Sequence, residues 1–176
     1  VLVLEVMGRD AGWIALHAAI GGGSEVCLIP EIPYDIEKVK KRLEKRYKRG
    51  RGNAIVVIAE GATTIGGTTT GEKSDEVGYQ HFRLGGVGHK LVHELEDAGF
   101  DAAMRVTVLG HLQRGGIPVA YDRVLATEFG VKAFEMVLEE QFGHMVAYRH
   151  PDVVAVPLIE AIEEPKLVDP KGSLVN

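Results

Sequence analysis

Val106-Thr107-Val108-Leu109-Gly110-His111-Leu112-Gln113-Arg114-Gly115-Gly116 is an apolar, β-branched run that opens into glycines around one imidazole and one guanidinium three residues apart. The run predicts a strand, and the glycines predict a tight exit at its carboxyl end. Glycine at 110, 115 and 116 allows positive φ and close approach of main-chain N–H groups to a ligand. Arg114 adds a planar fork suited to phosphate oxygens. On spacing alone the stretch fits either a phosphate or phosphosugar site or an ordinary glycine-rich turn with a surface arginine.

Upstream, the same strand-to-glycine grammar repeats. Val1 to Val6 reads as a buried strand, Met7-Gly8-Arg9-Asp10 as a turn, and Ala11 to Ile20 as a small-residue helix stopped by Gly21-Gly22-Gly23. Glu25 to Ile29 is a second strand. Ile36, Val39, Leu43 and Tyr47 then recur at helical spacing among Lys, Arg and Glu, the pattern of a helix with one buried face. Ala54 to Ala59 is a third strand and delivers Glu60-Gly61 at its end. The polar stretch Ala62 to Gln80 reads as a loop or hairpin, Val87 to Ala98 as a helix and Ala103 to Leu109 as a strand. Beyond that motif, Tyr121 to Phe142 predicts a long helix interrupted or eased at Gly130, Val153 to Val156 a short strand, and the tail from Glu163 a loosely held segment. Strands alternating with helices predict an α/β fold, a parallel sheet sandwiched by helices on both faces, with ligands gathered at the carboxyl ends of the strands. Met7-Gly8-Arg9, Glu60-Gly61 and Gly110-His111 each follow such a strand.

Composition narrows the classes. The chain has 176 residues, 45% of them hydrophobic, enough for a buried core. A formal net charge of −5 argues against general nucleic-acid or anionic-membrane binding, so any anion site must rest on local residues. One cysteine, Cys27, excludes a disulfide framework and suits a reducing, cytoplasmic setting. No signal peptide and no membrane-spanning apolar stretch is expected. The chain opens at Val1 within an apolar run, so processing or truncation is expected to have made that end. His89 and His93 stand at i and i+4 without a third ligand nearby in sequence, and read as a surface pair.

The strings MGRDAGWIAL, IAEGA and VTVLGHLQRGGIPVAYDRVLA, in this order, resemble the C-terminal half of the bacterial 6-phosphofructokinase family. RLGGVGHKLVHEL and LATEFGVKA look most like the branch holding both ATP- and pyrophosphate-dependent enzymes. The resemblance implies transfer of a phosphoryl group to O1 of fructose 6-phosphate, giving fructose 1,6-bisphosphate in glycolysis, with Mg2+ and with ATP expected as donor ahead of pyrophosphate. It implies that Met7, Gly8 and Arg9 line the sugar site, with Arg9 near the transferred phosphoryl group as a catalytic residue. Glu60 would accept hydrogen bonds from sugar hydroxyls, a role suited to an acceptor-only carboxylate. His111 and Arg114 would hold the 6-phosphate and sugar, and Arg105 would reach the same phosphate across a subunit interface of a homo-oligomer, dimer or tetramer.

The family's nucleotide-binding glycine loop, metal-linked acid and TIDND-type segment with the catalytic base have no counterpart string here. Gly21-Gly22-Gly23-Ser24 follows a helix and lacks a lysine at P-loop spacing. No metal ligand is therefore expected in this chain, and residues 1–176 are expected to be inactive alone. The resemblance implies a sugar-phosphate-binding subdomain over 1–112, a segment over 113–158 that returns to the nucleotide-binding domain, and a tail over 159–176. Val124, Leu125, Phe129, Phe134 and Val137 would, without that domain, expose apolar surface or find it covered by another copy of the chain. The alternative is a noncatalytic phosphosugar-binding or regulatory module.

Overall fold

The computed structural model describes residues 1–50, 52–74 and 81–175. The elements are β1 (Leu2–Val6), α1 (Trp13–Gly22), β2 (Val26–Leu28), α2 (Ile36–Lys48), β3 (Ile55–Ala59), β4 (Gly71–Ser74), β5 (His81–Leu84), α3 (Val87–Asp97), β6 (Arg105–Val108), α4 (Ala120–Leu138), β7 (His144–Arg149), β8 (Asp152–Pro157) and α5 (Leu158–Glu163). They fall into two units, Val1–Arg114 with Leu167–Asn176, and Gly115–Lys166.

The first unit carries a four-stranded sheet in the order β2-β3-β1-β6, with every pairing parallel. Alternation along the central strands explains the two layers of helix, because successive side chains leave opposite faces. Val3, Val56 and Ile58 are buried with Val39 and Leu43 of α2 and Val87, Leu91 and Leu95 of α3. Val6, Val57 and Ala59 are buried on the other face with Ala15, Leu16 and Ala19 of α1. The expected α/β sandwich of a parallel sheet with helices on both faces is thus the observed one.

Local signals set the helix ends. Asp35 caps α2, its carboxylate accepting from the N–H groups of Glu37 and Lys38 at 3.0 and 3.4 Å. The glycines after Ile20 do not stop α1 where the sequence suggests. The helix runs through Gly21 and Gly22 and turns left-handed at Gly23 (φ 62°), where the Ser24 N–H returns to the Ala19 carbonyl at 2.9 Å. A helix end needs one glycine with positive φ, and the two before it simply remain helical.

The stretch from Ala62 to Gln80, expected as a loop or hairpin, contains β4, which pairs antiparallel with β5 just beyond the end of that segment; residues 75–80 lie outside the described residues. The tail is not loosely held at its middle. Val168 is buried against the α1 face, and the Glu31 carboxylate joins the two, accepting the Gly12 N–H with both oxygens at 3.0 and 3.1 Å and the Val168 N–H at 2.8 Å. Cys27 packs half-buried on the same face, where burial, and then the Glu31 charge, push its thiol up to about 11.

The second unit holds α4, an antiparallel β7–β8 hairpin and α5. The strand expected near Val153 is there, but its partner β7 occupies residues that the sequence reading assigns to no element. The long helix ends at Leu138, four residues before Phe142 and uninterrupted at Gly130, because Glu140 adopts positive φ (56°) and the Gln141 N–H closes back on the Met136 carbonyl at 2.9 Å. Only Met136 is buried along α4, while Val124, Phe134 and Val137 are 58%, 64% and 58% exposed. Leu125 and Phe129 are half-buried instead.

Removing the Glu31 acceptors leaves Gly12 and Val168 amides unpaired in partly buried surroundings. Glu31→Ala is expected to lower the unfolding free energy by about 1.5–3 kcal/mol, read by urea denaturation, and to make the chain after Lys166 a preferred protease target. An unchanged midpoint and an uncut tail would contradict this role for Glu31.

Candidate functional site

Parallel register brings three strand ends to one rim. Val6 pairs with Ala59 and Glu5 with Val108, so β1, β3 and β6 leave the sheet at the same level. The exits are then sewn together by backbone. The Glu60 N–H donates to the Val6 carbonyl at 2.9 Å, the Gly61 N–H to the Gly8 carbonyl at 3.0 Å, and the Leu109 N–H to the Glu5 carbonyl at 3.0 Å. Such close approach requires glycine at two points. A Cβ at Gly61 would lie 1.9 Å from the Arg9 carbonyl oxygen, and one at Gly8 (φ 148°) would lie 2.9 Å from that of Ala11.

Above these exits lies an open cleft of about 950 Å³. Of the residues singled out from sequence, Met7, Gly8, Arg9, Glu60, His111 and Arg114 all line it. Arg105 does not. It opens β6, three residues and about 10 Å of strand before the rim, and its side chain is exposed. His111 and Arg114 belong to a 3-10 turn over Gly110–Arg114, and both are exposed to the cleft. Arg9 is also exposed, so three basic groups border this cavity in a chain of net negative charge.

Two residues of the cleft were missed by sequence reasoning. Gln113 reaches across to β1's exit, where its Oε1 accepts the Met7 N–H at 2.7 Å. In the sequence it reads as a spacer between His111 and Arg114, and nothing local marks its partner 106 residues away. Glu5 is the other, a carboxylate only 2% exposed in the middle of the apolar run that forms β1. An acid inside such a run was the available signal, since a buried carboxylate must find donors. Glu60 is half-buried, with Oε1 facing the Gly8 N–H at 3.4 Å. The cleft therefore gathers the basic side chains of Arg9, His111 and Arg114, which suit an anion, and the half-buried Glu60 carboxylate, which suits hydroxyl donors.

The family model described as phosphofructokinase matches residues 1–137. The ATP-dependent 6-phosphofructokinase 2 of Clostridium perfringens is 44% identical over 176 residues, covering 100% of this chain and 48% of that protein. The pyrophosphate–fructose 6-phosphate 1-phosphotransferase of Amycolatopsis methanolica is 47% identical over 171 residues, covering 97% of this chain and 49% of the relative. Among solved structures, the pyrophosphate-dependent phosphofructokinase from Marinobacter aquaeolei superposes with a TM-score of 0.76 at 27% identity, over 99% of this chain and 43% of that one. Phosphofructokinase from Saccharomyces cerevisiae gives 0.73 at 32% identity, over 92% and 20%. The chain spans about half the length of the curated relatives it matches.

The Gln113 tie carries its own test. Gln113→Leu keeps the bulk and strips the acceptor from the Met7 N–H, and is expected to cost about 1–3 kcal/mol in urea unfolding. Gln113→Glu retains an acceptor and should recover most of that loss; equal stability of all three proteins would show that the bond contributes nothing.

Proposed function

We propose that this chain, which belongs to the phosphofructokinase family, is the fructose 6-phosphate-binding half of a 6-phosphofructokinase. The observation that carries the reading is the convergence of Arg9, His111 and Arg114 with Glu60 on one cleft at the carboxyl ends of three parallel strands. His111 and Arg114, on a single turn, form a cationic seat for the 6-phosphate. Glu60 accepts hydrogen bonds from sugar hydroxyls, and the Met7-Gly8 backbone walls the fructose. Arg9, on the neighbouring exit, stabilises charge that develops on the phosphoryl group in flight, the role for which a fixed guanidinium is suited.

The remaining parts of the reading follow from what the cleft holds. Glu5 and Glu60 are the carboxylates among its described lining residues, and both face backbone N–H groups. Among the described residues no group of three or more His, Cys, Asp or Glu could hold a metal ion. We assign the magnesium ligands, the catalytic base and the donor site to the part of the relatives that this chain does not span. ATP is our proposed donor ahead of pyrophosphate; the names of relatives include both kinds. Arg105, exposed and away from the rim, fits a residue that serves the cleft of a second copy in a homo-oligomer. The exposed apolar side chains of α4 fit a segment that rests on the nucleotide-binding half. No helix among the described residues is long and apolar enough to cross a membrane, and we propose a cytoplasmic glycolytic enzyme.

Calorimetric titration of the full-length protein with fructose 6-phosphate tests the cleft, and Arg114→Ala is expected to weaken binding by about 1.5–3 kcal/mol. No saturable binding, or an affinity untouched by the substitution, would overturn the assignment. Saturable binding with no fructose 1,6-bisphosphate formed from either ATP or pyrophosphate would instead favour a noncatalytic phosphosugar-binding module.

A further inference from the structure

Glu5 is the buried charge that the proposed reaction leaves without a role. It sits near the carboxyl end of β1, on the face that Val3 shares with α3, and is 2% exposed. A carboxylate so placed is costly unless both oxygens are hydrogen-bonded. Both are: Oε1 accepts the Gly86 N–H at 3.1 Å and Oε2 the Gly88 N–H at 2.8 Å. These amides form the N-terminus of α3, whose cap residue, Gly86, has no side chain and whose first turn has no acid. The helix is therefore capped by a strand residue more than 80 positions away in sequence. The glycines fit around that carboxylate. A Cβ at Gly88 would lie 2.9 Å from Val106 Cγ1 and 3.2 Å from Glu5 Oε2.

The N-terminus of α3 borders the cleft through Gly85, and Glu5 lines the same cavity from beneath. Left uncapped, the Gly86 and Gly88 amides would form a second attraction for an anion, since helix N-termini favour negative charge. The other is the Gly110–Arg114 turn with its two basic side chains. A ligand carrying one phosphate could then lie in either direction. We infer that Glu5 is a positioning residue that sets the direction in which a sugar phosphate lies in the cleft: it occupies the α3 amides and leaves the His111–Arg114 turn as the seat for phosphate. The inference rests on the sugar-phosphate reading given above.

Glu5→Gln isolates the charge. The amide keeps the size of the carboxylate but has one acceptor oxygen, so in either rotamer an NH2 group faces a backbone N–H and one α3 amide is released. In calorimetry on the full-length protein, inorganic phosphate is expected to bind about threefold tighter and fructose 6-phosphate about tenfold weaker than in the wild type. The opposite signs are the discriminating readout, because a variant that had merely loosened would weaken both ligands together. Parallel weakening, or no change in either, overturns the inference while the wild type's own fructose 6-phosphate binding keeps the sugar-phosphate reading standing. A wild type that binds no fructose 6-phosphate removes both. Should Glu5→Gln fail to fold, wild-type crystals soaked in tungstate decide the matter: an anion at the 110–114 turn with none at Gly86 and Gly88 supports the inference, and an anion on those two amides overturns it.

Discussion

Parallel pairing of β1 with β3 on one side and β6 on the other is the constraint from which the cleft follows. Because Leu2 to Val6 stand opposite Ile55 to Ala59, and Leu2 to Glu5 opposite Arg105 to Val108, the three chains leave the sheet flush with one another. Everything chemical is then a matter of what comes next in each strand: Met7-Gly8-Arg9, Glu60-Gly61 and Leu109-Gly110-His111. The register is held by burial on both faces. A slip of one residue would turn Val3, Val56 and Ile58 away from α2 and α3 and carry Glu5 out of reach of the α3 amides.

Much of this was legible in the chain itself, for physical reasons that differ by element. The strands are short apolar runs, and the two central ones are buried on both sides, so composition alone exposes them. The α2 helix declares itself through Ile36, Val39, Leu43 and Tyr47 and through the cap at Asp35. That Met7, Gly8, Arg9, Glu60, His111 and Arg114 would meet at one rim was readable because each follows a strand end, which in a parallel sheet is where ligands gather. What escaped was nonlocal. Gln113 and Glu5 act on amides contributed by distant segments, and no window of sequence contains both partners. The β7–β8 hairpin was half-seen because Met145, Val146 and Ala147 carry no alternation that separates strand from helix. The tail was misjudged because a segment with two prolines and little pattern gives no sign that one valine fills a gap beside Ala15 and Ala19.

Side-chain carboxylates satisfying main-chain N–H groups are a recurring device in the first unit. Glu5 holds the start of α3, Asp35 the start of α2, and Glu31 the start of α1. Each helix carries a positive end that a carboxylate satisfies both as an acceptor and as a charge. Asp35 does so from the adjoining residue, whereas Glu5 and Glu31 do so from elsewhere in the fold, so that the same contact that finishes a helix also fixes its place on the sheet.

The Glu31 contact with Val168 has a consequence for the order in which the molecule can be made. Residues 115–166 separate the two portions of the first unit. On the ribosome, the sheet and its helices can therefore assemble around β1, β3 and β6 while the face of α1 still lacks its last side chain. The entire second unit must be synthesised before Val168 emerges to close that face, so the first unit can start to fold before the second is made and is completed only after it.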